Sequence, residues 1–444
     1  MRKLNNYISI YYRKMTLAIF AVAALQFLSS CGGDTADFTP DFSYLYVDSN
    51  HVTFTNESVG EYYSLVWDFG NGVVDTSSNK LKTYTIYYPN SGTYTVRLEC
   101  MNFSGDKASV SKSVVISSED LVVSFSAVLN SLNTNEVILT NTSTGGFDST
   151  QWAYRGKLIS GHEVDTAYFP SSGIYSISLK VYKSGQSFED TKTVSIAQDD
   201  PDYVNHLKLV WEDEFTGTAL NMDNWNYDTG SNGWGNNELQ NYTSGDNLSI
   251  SDGKLIITAK KLNENTEVGS YTSSRIKSFG NREFKYGRVE FKAKLPLGRG
   301  VWPALWMLGD DFYSAGWPAC GEIDIMEYVG YQPNTVFCAV HTPSGYGNNG
   351  VGGSLSVPTC EEAFHLYGII WTDKRIDFYV DSPEQIVYSY APATLNASTW
   401  PFDKEAFLII NLAIGGNWGG AQGIDNTIFP ATLELDYVKV YQEK

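Results

Sequence analysis

Along most of the chain, apolar and polar positions alternate with a period of two, in short β-branched runs broken by Gly, Asn and Ser. That is the pattern of half-buried strands joined by turns. The first half repeats itself. Val52-Thr-Phe-Thr-Asn-Glu-Ser58 recurs as Val137-Ile-Leu-Thr-Asn-Thr-Ser143, and Trp67 recurs as Trp152, both at an offset of 85 residues. Ser91-Gly-Thr-Tyr-Thr-Val-Arg-Leu98 recurs as Ser172-Gly-Ile-Tyr-Ser-Ile-Ser-Leu179. Each copy has the length and patterning of a small β-sandwich of immunoglobulin type, with its Trp as a core anchor. The polar stretch Gln198-Asp-Asp-Pro-Asp202 reads as a linker. Beyond it, about 240 residues of alternating strand pattern contain no long amphipathic helix, which predicts one all-β domain of two packed sheets.

The N-terminus departs from this pattern. Arg2, Lys3, Arg13 and Lys14 precede an apolar run of 14 residues, Met15 to Leu28. That run is shorter than the ~20 residues needed to span a bilayer. It ends in Leu28-Ser29-Ser30-Cys31, which resembles a bacterial lipobox, with cleavage leaving Cys31 as a lipidated N-terminus. Residues 1–30 are therefore set aside as a signal peptide. The expected product is an exported bacterial lipoprotein, held by its acyl chains on a membrane, at the outer membrane or cell surface.

Composition then narrows the partners. Against 50 Asp and Glu stand only 31 Lys and Arg, a net charge of −19, so the basic footprint of a nucleic-acid binder is missing. The same field disfavours sulfated or phosphorylated polyanions, but not a neutral polymer. Nine of the 11 Trp lie at or after Trp211, which makes the C-terminal domain rich in rings. Besides Cys31, the cysteines Cys100, Cys320, Cys338 and Cys360 are scattered without a metal-binding spacing, so buried thiols are expected.

The sharpest chemical feature is Gly321-Glu-Ile-Asp-Ile-Met-Glu-Tyr328. On a strand Glu322 and Asp324 share a face, whereas Glu327 has the wrong parity. One extra residue, a β-bulge around Ile325-Met326, restores it and sets three carboxylates in a row. Crowded like charges are costly as pure structure. A retaining glycosidase needs such a pair, about 5–5.5 Å apart, one a nucleophile and one a proton donor. A solvated acidic face or a metal site is the alternative reading of the same residues.

Two resemblances add to this. Trp67-Asp-Phe-Gly-Asn-Gly72 and Gly92-Thr-Tyr-Thr-Val96 resemble PKD domains, and Trp152-Ala-Tyr-Arg-Gly156 marks the second copy as a degenerate PKD-like or other Ig-like module. Residues 206–443 resemble glycoside hydrolase family 16, specifically its laminarinase-like β-1,3-glucanases. The motifs include Leu209-Val-Trp-Glu-Asp-Glu-Phe215, Gly233-Trp-Gly-Asn-Asn-Glu-Leu-Gln240, Ser274-Arg-Ile276 and Tyr286-Gly-Arg-Val-Glu-Phe291. They continue with Gly300-Val-Trp-Pro-Ala-Leu-Trp-Met307, Gly316-Trp-Pro318, Asn411-Leu-Ala-Ile-Gly-Gly-Asn-Trp418 and Asp436-Tyr-Val-Lys-Val-Tyr441.

The resemblance implies an all-β chain: a concanavalin A-like jelly roll over 204–444, preceded by a PKD domain over 38–117 and a second sandwich over 118–197. It implies Glu322 as nucleophile, Glu327 as acid/base and Asp324 as the residue assisting Glu322. Asn237, Arg275, Trp302, Trp317, His341 and Trp418 are the expected sugar contacts, while Trp306 reads equally as core or cleft. Many members carry a structural calcium, for which Glu214, the carbonyl of Gly253 and Asp436 are the matching positions; catalysis itself needs no cofactor. The expected activity is retaining endo-hydrolysis of β-1,3-glucan, with mixed-linkage β-1,3/1,4-glucan close behind, by a monomer. A galactanase of the agarase or carrageenase type and a non-catalytic glycan-binding lipoprotein are the alternatives.

Overall fold

The computed structural model describes residues 37–443 apart from 118 and 119, so the leader and the Cys31 lipidation site lie outside the described residues. The chain divides into two compact units, one running to Val122 with residues 144–146, the other comprising Val123–Ser143 and everything from Phe147.

In the first unit, a three-stranded sheet (Phe42–Tyr46, His51–Asn56, Tyr84–Tyr87) shares a core with a four-stranded one. The latter runs in the order Val74–Ser77, Ser64–Asp68, Gly92–Met101, Lys107–Ile116. Trp67 is fully buried in that core and stacks on Phe69 at 5.5 Å. The repeat in the sequence is a repeat in topology. Phe125–Leu129, Glu136–Asn141 and Val164–Tyr168 form the three-stranded sheet of the second copy. Lys157–Ser160, Ser149–Tyr154, Gly173–Lys183 and Gln186–Ile196 form the four-stranded one, and Trp152 is fully buried.

The polar stretch at 198–202 is not the loose linker that its composition predicts. The chain enters a short 3-10 turn, Tyr203–His206, and buries Tyr203 with Leu207, Ile370 and Tyr379. The acidic residues that look solvated in the sequence have distant partners. Asp199 accepts from Arg375 at 2.5 Å, and Asp200 accepts from the Tyr168 hydroxyl at 2.7 Å and lies 3.3 Å from His206. Arg155 of the second sandwich, its side chain only 4 % exposed, forms a two-pronged pair with Glu443 at 3.0 and 3.1 Å, and Lys157 reaches the same carboxylate at 2.7 Å. This sandwich is thus bolted to the C-terminal domain.

That domain is two facing sheets of ten and eight strands with one large core between them. The eight-stranded sheet carries the cleft, and its main order is Asn226–Asp228, Arg275–Lys277, Ala406–Ile414, Val301–Gly309, Glu322–Tyr328, Thr335–His341, Val351–Ser356. Ala406–Ile414, apolar at every position but Asn411, is buried throughout and forms the middle of this sheet. The four cysteines among the described residues are buried free thiols.

Candidate active site

The acidic strand is bulged where its parity requires it. Trp306 pairs with Asp324 and Leu305 with Met326, leaving Ile325 extra; on the other side Asp324 pairs with Ala339 and Glu327 with Phe337. The bulge sends both Ile325 and Met326 into the core and keeps Glu322, Asp324 and Glu327 together on the cleft. Gly321, just before the strand, has φ of +78°, and a Cβ there would meet Phe402 at 2.9 Å, so only glycine turns the chain into Glu322.

Each glutamate is held by an indole. Trp317 Nε1 donates to Glu322 Oε2 at 3.0 Å, and Trp302 Nε1 donates to Glu327 Oε1 at 3.0 Å. The backbone N–H of Gly347 donates to His341 Nδ1 at 3.1 Å, which places the proton of a neutral ring on Nε2. That nitrogen lies 3.2 Å from Asp324 Oδ2, short of hydrogen-bond alignment, and 3.7 Å from Glu322 Oε1. Trp418 packs edge-on against Trp302 at 5.6 Å and Phe337 at 5.0 Å.

These residues line one cleft of about 1020 Å³. Arg275 also lines it, with Nε 3.0 Å from Asp228. Asn237, expected as a sugar contact, is not among the lining residues; its amide donates to Asn417, which is, at 2.9 Å. Trp306, undecided from the sequence, faces the cleft. Sequence reasoning missed Trp234, Asn236 and Asn417. The signal for Trp234 was its place between Gly233 and Gly235, both with positive φ, in a turn that presents the ring.

Burial raises all three carboxyls. Glu327 is pushed up to about 8 by burial first and by Asp324 next; Glu322 is raised by burial and then Asp324, and Asp324 by burial. A raised acid binds its proton more tightly in the folded chain, so stability is lost as pH climbs from the ordinary value of 4.5 toward 8. Replacing Glu327 by Gln should therefore raise Tm at pH 8 and leave it nearly unchanged at pH 4. Thermal melts at both values check this; an equal change at both would remove the link to Glu327.

Two of the three expected calcium positions, Glu214 and Asp436, are otherwise engaged. Glu214 pairs with Lys439 at 2.9 Å, and Asp436 pairs with Lys292 at 2.7 Å. Oxygen donors suit calcium, but here ammonium groups already supply the positive charge, so these residues do not fit a cation site as they stand. Glu322, Asp324 and His341 bring ligand atoms within 4.8 Å of one another and could hold a metal ion. An ion there would occupy the carboxylates that the cleft presents for chemistry.

Comparison with known proteins agrees with this geometry. Residues 235–439 match the profile of glycosyl hydrolases family 16, and residues 39–115 that of the PKD domain. A β-glucanase of Rhodothermus marinus is 44 % identical over 259 residues, covering 56 % of this chain and 89 % of that protein. Glucan endo-1,3-β-glucosidase A1 of Niallia circulans is 38 % identical, covering 57 % of this chain but 41 % of that protein. The solved laminarinase of Flavobacterium sp. UMI-01 superposes with a TM-score of 0.50 at 46 % identity, covering 53 % of this chain and all of that one. The chain belongs to glycosyl hydrolases family 16 and is a glycoside hydrolase with a PKD domain near its N-terminus.

Proposed function

We propose that the protein is a retaining endo-β-glucanase that cuts β-1,3-glucan, and mixed-linkage β-1,3/1,4-glucan as a second substrate. The observation that carries this reading is the pair of glutamates on one bulged strand, each held by an indole N–H in the same ring-lined cleft. The glucanase names of its relatives support the substrate.

In the first step Glu322 attacks the anomeric carbon while Glu327 protonates the departing oxygen; in the second, Glu327 takes a proton from water. Asp324, between them on the same face, is itself raised by burial, and in its protonated form it can donate a hydrogen bond that holds Glu322 in place. Burial raises Glu327 and Glu322 alike, so the two roles rest on their order along the strand and on the family resemblance. Digestion of laminarin, lichenan, agarose and carrageenan, with chromatography of the products, tests the reading. Release of short β-1,3-glucosides supports it. Cleavage of the galactans alone would replace it with the galactanase, and binding without cleavage would replace it with the non-catalytic reading.

We also read the second sandwich as a degenerate PKD-like module and Cys31 as the lipidated residue of an outer-membrane, surface-exposed lipoprotein. Cys31→Ser should move the protein from the membrane to the soluble fraction. A variant that still sediments with membranes would overturn the anchor.

A further inference from the structure

The two sandwich copies differ at one hairpin. In the second copy Gly173–Lys183 and Gln186–Ile196 are joined by a two-residue turn, Ser184-Gly185, both at positive φ. That is the tightest of the common hairpin turns. In the first copy Gly92–Met101 pairs with Lys107–Ile116 only up to Met101 and Lys107, which leaves five residues, Asn102 to Asp106, in the tip. Phe103 stands there, 89 % exposed.

The longer tip is fixed. The Asn102 side chain accepts from the backbone N–H of Ser104 at 3.0 Å and of Asp106 at 2.9 Å, and donates to the Asp106 carboxylate at 2.9 Å. The Phe103 ring lies nearly parallel to that of Tyr63, with centroids 4.4 Å and planes 16° apart. One face of Phe103 is braced in this way, and its exposure leaves the other face to solvent. The fold itself does not require the pair. Where the first copy has Tyr63, just before Ser64–Asp68, the second has Asp148, just before Ser149–Tyr154, and its carboxylate accepts from the Ser184 N–H at 3.0 Å. The same two loops are tied there without a ring. Single exposed apolar residues are common, but this one has a lengthened loop and a stacking partner that serve it alone.

The size and charge of the patch select its partner. One ring covers at most about 200 Å², against ~800 Å² per partner in a stable protein interface. Asp106 shares the tip, Glu61 stands two positions before Tyr63, and Lys107 is already paired with Glu99 at 2.8 Å, so an anionic surface does not suit it. A neutral polysaccharide needs little from each site. Every pyranose presents a C–H face to a ring, and weak contacts to one polymer add up when they sit on one chain.

We propose that Phe103, braced by Tyr63, is a docking platform for a neutral polysaccharide, a glycan contact outside the cleft that helps hold the enzyme on an insoluble substrate. The choice of β-glucan as that polymer rests on the glucanase reading of the cleft.

The test uses the full chain with Cys31→Ser, so that no acyl chain contributes, and Glu322→Gln, so that the polymer is not cut. In depletion isotherms on insoluble β-1,3-glucan, Phe103→Ala should bind about fivefold more weakly, within the range for one ring contact. Tyr63→Ala should lose a similar factor and the double variant little more, because the two rings act as one unit. Tyr63→Phe, which keeps the stack, should bind as before. With Glu322 restored, Phe103→Ala should keep the kcat/KM of its parent on an activated aryl β-glucoside. Unchanged polymer binding by Phe103→Ala overturns the proposal. Phe103-dependent association with phosphatidylcholine vesicles, or Phe103-dependent self-association in sedimentation velocity, would then assign the ring to a membrane or to a second copy. Should the wild type cut agarose and not β-glucan, the glucanase reading falls, and the same isotherms on insoluble agarose decide the platform.

Discussion

Glu327→Ala should keep much of its glycosylation rate, read as the first burst of dinitrophenol, on a dinitrophenyl β-glucoside of suitable length while losing laminarin by about 10³-fold, within the range for general acid catalysis. An acidic leaving group departs without a donated proton, so in the first step only the natural substrate feels the missing carboxyl. The variant should then stall at the glycosyl-enzyme stage, and added azide should release a β-glycosyl azide. Glu322→Ala lacks the nucleophile and should fail on both substrates; azide filling the gap should give the α-glycosyl azide. Opposite azide products would reverse the two roles, and an inverted anomer from the wild type would end the double-displacement mechanism. The alkaline limb of the pH profile offers a second check. It should be present in the wild type on laminarin, where Glu327 loses its proton near 8, and absent from Glu327→Ala on the aryl substrate.

The second large effect concerns the bolt between the second sandwich and the catalytic domain. Arg155→Ala leaves Glu443 buried with Lys157 as its remaining ion-pair partner among the described residues. Removing one partner of a buried pair costs about 3–5 kcal/mol, and the remaining lysine should hold the loss near the lower figure. Urea unfolding of the full chain should show this as a lower midpoint, with activity per folded molecule unchanged. A change of less than about 0.5 kcal/mol would place the pair among ordinary surface bridges.

The bulge in the acidic strand was legible because strand parity is a strict rule and Glu327 breaks it by one position. The bulge around Ile325-Met326 follows from the sequence alone, and the register shows it there. The repeat was legible for a similar reason, since Trp67 and Trp152 occupy the same place in two copies of one topology. Trp306 could have been assigned by the same rule, since it lies four positions from Trp302 on a strand that pairs with Ala406–Ile414 without a break and so shares its cleft face. The bolt was invisible. Arg155 and Glu443 are 288 positions apart, and nothing local distinguishes either from a solvated charge. The same holds for Asp199 and Arg375, which made an ordered joint look like a linker.

The buried cysteines have a consequence for handling the protein. Burial raises the thiols of Cys320 and Cys360 to about 11 and that of Cys338 to about 12, and raises Cys100 too, so almost none is thiolate at neutral pH. Thiolate is the form that oxidises and exchanges. Among the described residues, then, the native state holds no covalent cross-link for a reductant to cut and no ready nucleophile for an oxidant to find. The folded chain should melt at the same temperature with or without dithiothreitol, and the part from residue 37 onward should reach its native state in a reducing cytosol as readily as in an oxidising compartment.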